Sequence, residues 1–394
     1  MTAVTPLNLL KIDHLLSDEE RDIAATVADF VDQRVRPFVA DWYDRGEIDL
    51  GIVKEAGALG LLGMHLEGYG CAGTNAVSYG LTCLELEAGD SGVRSLVSVQ
   101  GSLAMFGIWR WGSEEQKQTW LPPMAAGEAI GCFGLTEPDF GSNPAGMRTV
   151  ARRDGDDWVL NGTKMWITNG SVADVAVVWA KAEADDDHPA GIRGFVVPTD
   201  SAGFSAPKIT KKLSLRASIT SELVLEDVRL PADAVFPEVV GLRGPLSCLN
   251  EARFGIVFGA LGAARDCLEV AIDYAGTREI FDRPLSSFQL TQAKLADMTL
   301  ELQKGFLLAL HLGRLKDDHQ LDPRQVSLGK LNSVREALTI ARECRTILGA
   351  NGVTLEYPVL RHANNLESVL TYEGTSEVHQ LIVGQALTGV AAFS

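Results

Sequence analysis

Near its C-terminal end the sequence reads LTYEGTSEVH, which places a glutamate, Glu373, directly before a glycine. Glycine commonly follows the last residue of a helix, so Gly374 predicts a junction between two helices, with Thr375 capping the second. A carboxylate in a dry pocket at such a junction has a raised pKa and becomes a base suited to carbon acids. A solvated glutamate, or one half of a buried salt bridge, explains the same pattern.

A second pair with chemical potential is formed by Glu87 and Arg94. Glu87 precedes Arg94 by seven residues, which is about two helical turns, so the two side chains could share one helix face. Such a pair is either a structural ion pair or a guanidinium group that binds a carboxylate in bidentate geometry. The spacing leaves both interpretations open.

A glycine-rich stretch raises a different cofactor class. GYGCAG, residues 68–73, matches the G-x-G-x-x-G pattern of dinucleotide-binding folds, and Asp90 follows about twenty residues on. No convincing strand precedes these glycines and no strand–helix alternation follows them. We interpret the segment as a loop entering the next helix, with a nicotinamide-dependent enzyme as the main alternative.

Composition excludes several classes of partner. The 394 residues carry a formal net charge of −17, which disfavours nucleic acid and anionic membrane surfaces. The six cysteines are scattered without metal-ligand spacing, so we expect no metal site and a reducing compartment. One acidic run, residues 185–187, is interpreted as a solvated loop. Without a targeting segment or a membrane-length apolar run, the chain is expected to be cytoplasmic.

Hydrophobic periodicity divides the chain into three predicted domains. Residues 1–130 follow a helical period, and residues 241–394 return to long helices. Residues 131–240 instead contain short runs rich in Val, Trp, Thr and Ile, with turn signals at Asp154-Gly155 and Asn161-Gly162 that are typical of β-hairpins. The predicted class is therefore α+β, with an N-terminal helical domain, a middle antiparallel β domain and a C-terminal helical bundle.

Five stretches resemble, in their order, spacing and context, the motifs of the acyl-CoA dehydrogenase family of flavoproteins. The resemblance covers essentially the whole chain. The stretches are FGLTEPDFGS (133–142), WITNG (166–170), RPLSSFQL (283–290), ILGANGV (347–353) and YEGTSEVH (372–379). Three more are similar to the glutaryl-CoA dehydrogenase branch of that family: DSGVRSLVSVQ (90–100), SCLNEARFGI (247–256) and RHANNLESVLTYEGT (361–375).

The resemblance implies an acyl-CoA dehydrogenase-like fold that binds one FAD per subunit, usually in a homotetramer, with the flavin ring between the β domain and the C-terminal helices. The residues that would line the ring are Phe133, Leu135, Thr136, Trp166 and Thr168. Those that would reach FAD across a subunit boundary are Arg278, Phe281 and Gln289. Those that would hold the rest of the cofactor are Ser142, Gly349, Gly352, Thr375 and Glu377. Ser142 would also contact the substrate.

The resemblance also implies the chemistry. Glu373 would remove the α-proton of an acyl-CoA while the β-hydrogen leaves as hydride to the flavin, and the backbone N–H of Glu373 would stabilise the thioester oxygen. Arg94 and Ser95 would bind the second carboxylate of glutaryl-CoA, with Glu87 orienting Arg94. The acyl-CoA channel would be completed by Ser142, Leu246, Arg253, Tyr372 and Gly374.

Tyr372 is typical of members that go on to decarboxylate the oxidised product. The expected product is therefore crotonyl-CoA with CO₂, and the electrons would pass to an electron-transferring flavoprotein. Departures from the family pattern at Asn143, Asp282 and Thr346 are interpreted as tuning. The alternatives are a dehydrogenase for another short-chain or dicarboxylic acyl-CoA without decarboxylation, an oxidase that uses O₂, and a non-redox scaffold.

Overall fold

The computed structural model describes residues 5–184 and 189–392, so the acidic run at 185–187 lies outside the described residues. The N-terminal part is helical. Ser17 and Glu20 form a capping box at the start of the first helix, with the Glu20 N–H 3.2 Å from Ser17 Oγ. The helices are α1 (Asp18–Arg34), α2 (Val39–Arg45), α3 (Gly51–Ala58), α4 (Ala76–Gly89), α5 (Ser91–Ser98), α6 (Phe106–Trp111) and α7 (Glu114–Ala125), with a π-helical segment, Val99–Met105, between α5 and α6.

The glycine-rich stretch is a loop. Its three glycines have φ angles of 77°, 82° and 66°, which only glycine adopts easily. Asn75 then caps α4 by accepting a hydrogen bond from the Ser78 N–H at 2.7 Å. In the described part of the chain the first strand begins at residue 131, so no strand leads into the glycines. The dinucleotide-binding alternative is therefore wrong.

The middle part forms one seven-stranded sheet. Its strands are β1 (Gly131–Gly134), β2 (Val150–Asp154), β3 (Asp157–Thr168), β4 (Val175–Ala182), β5 (Gly191–Pro198), β6 (Phe204–Ser205) and β7 (Thr220–Leu230). Their order in the sheet is β1-β4-β2-β3-β7-β6, with β5 also paired to β4. Because β1 and β2 both pair with β4 in parallel, the predicted antiparallel arrangement needs correction to a mixed sheet.

The two predicted turns have different outcomes. Asp154-Gly155 does begin the turn between β2 and β3, as predicted. Asn161-Gly162 lies inside β3, so the second turn is wrong. Gly162 is nevertheless required there, because a β-carbon would lie 2.5 Å from Thr149 Oγ1. The extended pairing of β3 with β7 prevails over the local turn signal.

The C-terminal helices pack against α4 as well as against one another. Glycines 255, 259 and 262 form a row on the longest helix; a β-carbon on Gly255 would lie 2.8 Å from the Tyr79 hydroxyl. This row brings α4, and with it Glu87, close to the C-terminal bundle. The helices are α8 (Arg243–Thr277), α9 (Gln289–Asp317), α10 (Pro323–Leu348), α11 (Val359–Thr371) and α12 (Ser376–Thr388), and a small hairpin of β8 (Glu279–Ile280) and β9 (Arg283–Pro284) precedes α9.

The order of helices, sheet and helices confirms the predicted α+β class. Among the described helices, none has both the length and the apolarity that crossing a membrane requires.

Candidate active site

Glu373 lies at the predicted helix junction. Helix α11 ends at Thr371 and α12 begins at Ser376, with Thr375 Oγ1 accepting a hydrogen bond from the Val378 N–H at 3.3 Å. Glu373 has a φ of 55° and Gly374 one of 104°. A left-handed glutamate is uncommon and costs conformational energy, and such strain concentrates at functional sites.

One oxygen of the Glu373 carboxylate, Oε2, is buried without a hydrogen-bond partner among the described residues. Oε2 is inaccessible and accepts no hydrogen bond from the described residues, although the residue as a whole is only half-buried. Burial raises the pKa of Glu373 above its ordinary 4.5, although the cationic groups of Arg94 and Lys330 oppose that shift. A buried, unpartnered carboxylate with a raised pKa has the properties of a general base.

Arg94 and Glu87 form a buried ion pair next to this glutamate. Arg94 Nε donates to Glu87 Oε2 at 2.7 Å, and the two side chains are 1% and 0% exposed. Arg94 Nη2 donates to the hydroxyl of Tyr372, the neighbour of Glu373. The structure shows the ion pair of Glu87 and Arg94, and the binding of a substrate carboxylate by Arg94 stays a prediction.

A polar network fixes α5, the helix that carries Arg94. Asp90 caps α5 by accepting from the Gly92 N–H at 2.7 Å. Its other oxygen, Oδ2, accepts from Arg361 and from Asn365 Nδ2, the latter at 2.9 Å. Two of the stretches that resemble the glutaryl-CoA dehydrogenase branch, 90–100 and 361–375, are therefore in direct contact. This contact sets Arg94 relative to the helix that leads into Glu373.

Two buried cationic side chains, Arg253 and Lys330, hold the backbone around Glu373, and Lys330 was not among the predicted site residues. Lys330 Nζ donates to Tyr372 O at 2.6 Å and to Gly374 O at 2.7 Å. Arg253 Nε donates to Glu373 O at 2.6 Å. Burial lowers the pKa of Lys330 to about 7, against the attraction of Glu373. The signal that could have found Lys330 is a lysine on the apolar face of α10.

His379 was missed as well. Its ring is buried, and neither ring nitrogen has a partner among the described residues. A β-carbon on Gly374 would lie 2.8 Å from His379 Nε2, so the imidazole contacts the backbone beside Glu373. Burial, together with the charges of Lys330 and Arg253, lowers the pKa of His379 to about 3, which keeps the ring neutral. Nothing in its position along the sequence distinguished it.

The remaining predicted substrate residues occupy different places. Ser95 is buried beside Arg94 on α5. Leu246 is 37% exposed near the start of α8 and lies two turns before Arg253. Ser142 is exposed in the loop after β1 and makes no hydrogen bond with the described residues. The structure brings Arg253, Tyr372 and Gly374 to the Glu373 cluster but shows no such contact for Ser142.

The predicted flavin-lining residues meet at the ends of β1 and β3. Phe133 and Leu135 are buried, and Thr136 O accepts a hydrogen bond from the Met165 N–H at 2.8 Å. The β3–β7 register shifts between Lys164 and Ile167. At this irregularity Trp166 adopts a φ of 65° and stays 57% exposed. Thr168 is half-buried two residues later.

The surface formed by these residues at the ends of β1 and β3 fits a planar aromatic cofactor. Trp166 presents a large apolar ring at the surface, and Thr136 and Thr168 supply hydroxyl groups at the strand ends, the mixture of apolar face and few polar groups that cofactor sites use. Beneath it Lys164 Nζ donates to Glu137 Oε1 at 2.8 Å, with both side chains buried. Neither residue of this pair was among the predicted site residues.

Of the other predicted cofactor residues, Arg278, Phe281, Gln289, Gly349 and Gly352 lie at one end of the C-terminal bundle, whereas Thr375 and Glu377 lie at the start of α12, next to the segment that Lys330 holds. Phe281 is 87% exposed in the β8–β9 hairpin, with a φ of 48°. The turn 349–353 contacts the end of α8, where Asn351 Nδ2 donates to the Tyr274 hydroxyl at 3.1 Å. Five of these predicted cofactor residues are exposed in the single chain, as residues that contact a second subunit would be: Arg278, Phe281, Gln289, Gly349 and Glu377. Gly352 is buried and Thr375 is half-buried.

Three family models match the chain in succession. They are the acyl-CoA dehydrogenase N-terminal domain over residues 17–128, the middle domain over 132–228 and the C-terminal domain over 240–388. The chain belongs to the acyl-CoA dehydrogenase family. The prediction of an FAD-dependent enzyme of this family is confirmed.

Individual relatives narrow the class. A crystal structure of a glutaryl-CoA dehydrogenase from Mycobacterium smegmatis in complex with FADH2 is 69% identical, with a TM-score of 0.97 and full coverage of both chains. A glutaryl-coenzyme A dehydrogenase in complex with glutaryl-CoA is 30% identical, with a TM-score of 0.89, over 95% of this chain and 96% of that one. The human mitochondrial short-chain specific acyl-CoA dehydrogenase is 36% identical over 93% of this chain and 90% of its own length. The resemblance to the glutaryl-CoA dehydrogenase branch is confirmed.

Proposed function

We propose that the chain converts glutaryl-CoA into crotonyl-CoA and CO₂. The observation that carries this proposal is the buried guanidinium group of Arg94, held by Glu87 and Tyr372 next to an unpartnered Glu373 carboxylate. A cation this close to the base suits a substrate with a second carboxylate. The 69% identity to a glutaryl-CoA dehydrogenase supports the same substrate.

For the cofactor, Trp166, Thr168 and the end of β1 from Phe133 to Thr136 would hold the ring of FAD. Gly349, Gly352, Thr375 and Glu377 would hold the remainder, and Arg278, Phe281 and Gln289 would reach the FAD of a neighbouring subunit in a homotetramer. When bound, FAD supplies the acceptor for the β-hydrogen, which leaves as hydride. The N-terminus of α12, capped by Thr375, favours an anionic group nearby.

Glu373 carries the proton chemistry. Its Oε2 removes the α-proton, and the electron pair moves onto the thioester oxygen. The N–H of Glu373 donates to no acceptor in the described residues, so it is available to that oxygen. Loss of the β-hydrogen as hydride leaves a glutaconyl thioester, while the α-proton stays on the Glu373 carboxyl group.

Decarboxylation follows from the distal carboxylate. The bond between this carboxylate and the γ-carbon breaks, and its electrons flow through the new double bond to the thioester carbonyl. Glu373, now an acid, returns its proton to the γ-carbon, which gives crotonyl-CoA. The side chains of Arg94 and Glu87 are buried, and such low-dielectric surroundings favour neutral CO₂ over a charged carboxylate. The electron-transferring flavoprotein is the acceptor expected for the reduced cofactor.

A specific observation favours a second candidate, the oxidation of another short-chain acyl-CoA without decarboxylation. Arg94 already uses Nε for Glu87 and Nη2 for Tyr372, as a purely structural arginine would. The identity to the short-chain enzyme agrees with that function.

A single-turnover experiment distinguishes the two functions. Purified protein is mixed with glutaryl-CoA or butyryl-CoA and an artificial electron acceptor, and the CoA products are identified by mass spectrometry. We expect crotonyl-CoA from glutaryl-CoA, faster than from butyryl-CoA. Glutaconyl-CoA as the final product would refute decarboxylation, and preferred oxidation of butyryl-CoA would refute the assigned substrate.

A further inference from the structure

The backbone around Glu373 is held in an unusual way. Three consecutive carbonyl groups, those of residues 372, 373 and 374, each accept a hydrogen bond from a buried cationic side chain. Lys330 binds the first and the third, and Arg253 binds the second. Lys330 is 2% exposed and contacts no carboxylate within salt-bridge distance among the described residues. Its hydrogen bonds go to the peptide backbone.

The hydrogen bond from Lys330 to the Tyr372 carbonyl affects the peptide group between Tyr372 and Glu373. The carbonyl of Tyr372 and the N–H of Glu373 belong to the same amide. A cation on the oxygen of an amide withdraws electrons from its nitrogen and makes the N–H a stronger donor, because hydrogen bonds in series polarise one another. That N–H is unpartnered in the described residues and is the proposed donor to the thioester oxygen.

We infer that Lys330 is a positioning residue that holds and polarises the Tyr372–Glu373 peptide group, and so promotes removal of the substrate α-proton. The inference rests on the proposed function. Its two contacts on either side of Glu373 also stabilise the left-handed backbone that this residue adopts. The ammonium group lies close enough to lower the pKa of Glu373 as well. Losing the lysine therefore weakens the donor and makes the base harder to ionise.

The test measures proton removal without hydride transfer. The FAD-loaded enzyme is incubated in D₂O with 3-thiaglutaryl-CoA, in which sulfur replaces the β-carbon and no hydride can leave. Deuterium entering the position next to the thioester is followed by NMR. We expect exchange to fall about 100-fold in Lys330→Met and about tenfold in Lys330→Gln, which keeps amide donors but no charge.

A matched control exists elsewhere in the chain. Lys212 Nζ also donates to two backbone carbonyls, those of Leu215 and Ser218, the latter at 2.8 Å, and burial lowers its pKa to about 8. Lys212→Met removes the same kind of clamp from another loop. We expect it to lower the thermal stability while leaving the exchange rate within twofold of wild type.

The pH dependence separates polarisation from folding. Arg94, Arg253 and Glu87 also face Glu373 and are unchanged in both variants. Because the Lys330 charge, present below its pKa of about 7, lowers the pKa of Glu373, its removal should move the rising, acid limb of the exchange profile to higher pH. Should Lys330→Met not fold, Lys330→Gln carries the test. Exchange within twofold of wild type in the folded Lys330 variants, with an unmoved acid limb, would overturn the inference. A wild-type enzyme that exchanges no deuterium would overturn the proposed function itself.

Discussion

Two glutamates in this chain, Glu137 and Glu373, have cationic neighbours and yet opposite properties. Glu137 accepts hydrogen bonds from Lys164 Nζ at 2.8 Å, from the Arg148 N–H at 2.6 Å and from the Thr149 N–H at 2.9 Å. Burial alone would raise its pKa, but these donors lower the pKa of Glu137 to about 2. The carboxylate of Glu373 has no such donor, and its pKa is raised.

The difference lies in where the cations place their hydrogen bonds. Lys164 donates to the Glu137 carboxylate itself, whereas Lys330 and Arg253 donate to backbone carbonyls around Glu373. Arg94 is bound to Glu87 and Tyr372. A nearby charge therefore does not by itself neutralise a buried carboxylate. The unsatisfied hydrogen-bonding capacity of Glu373 leaves it basic, which suits chemistry, and the satisfied capacity of Glu137 suits structure.

The largest expected effect tests the reactive half of this comparison. Glu373→Gln keeps the size of the side chain but removes the base, and general-base catalysis contributes up to about 10⁴-fold. We expect kcat with glutaryl-CoA to fall by about 10⁴-fold, because the neighbouring carboxylate, that of Glu87, is held by Arg94 Nε through its Oε2 and does not replace the lost base. The thermal unfolding midpoint should change little, since burial and cationic attraction oppose each other at this residue. Retention of a tenth of wild-type activity would contradict the assignment.

The opposite result is expected at the structural glutamate. Glu137→Gln leaves the buried ammonium group of Lys164 without its counter-charge, and breaking a buried pair in this way costs about 3–5 kcal/mol of unfolding free energy. Urea unfolding measures the loss. The double variant Glu137→Gln/Lys164→Met should recover part of it, because it leaves no uncompensated charge. A loss below about 1 kcal/mol in the single variant would contradict the comparison.

The same pair predicts a pH dependence. Since the folded-state pKa of Glu137, about 2, lies below the ordinary 4.5, its contribution to stability is present above about pH 4.5 and is lost as the pH falls toward 2. Unfolding free energies measured across this window should decline less steeply in Glu137→Gln than in wild type. Parallel curves would show that Glu137 does not carry the acid sensitivity.

The two glutamates also show which parts of the site could be predicted from the sequence. Glu373 was singled out by a local signal, the helix junction that Gly374 marks, and was assigned as the base by the resemblance to the family. The Glu137–Lys164 pair joins residues 27 positions apart, and Lys330 reaches a carbonyl 42 positions away. No local pattern encodes such partners, and only the fold reveals them. For the same reason the parallel pairing of β1 and β2 with β4 could not be predicted, although the presence of a β domain in this part of the chain could.

A smaller effect is expected at Arg94, where the readout is discrimination between substrates. Arg94→Gln removes the charge proposed to bind the distal carboxylate, but it also leaves the buried Glu87 without its ion-pair partner. We therefore compare glutaryl-CoA with butyryl-CoA in the same protein, because their ratio is independent of the folded fraction. The ratio of kcat/KM values should fall about 100-fold, the scale of a lost charge-assisted hydrogen bond. An unchanged ratio would assign Arg94 to structure.

The smallest effect comes from Tyr372→Phe and tests the comparison most directly. The ring, whose centroid lies 5.7 Å from the Arg94 guanidinium and 5.8 Å from Lys330 Nζ, remains. Only the hydroxyl that engages Arg94 Nη2 is lost. The freed N–H group can then turn to the Glu373 carboxylate, which would begin to resemble Glu137.

We therefore expect the acid limb of the kcat profile of Tyr372→Phe to move to lower pH by up to about one unit, with kcat at neutral pH about fivefold lower, the scale of one hydrogen bond near 1 kcal/mol. A stabilised Glu373 carboxylate is a weaker base, so both changes must occur together. Stopped-flow bleaching of the flavin from pH 5 to 9 measures them. A slower enzyme with an unmoved profile would mean that Tyr372 acts on the substrate directly, and that the freedom of the Glu373 carboxylate does not depend on how Arg94 is held.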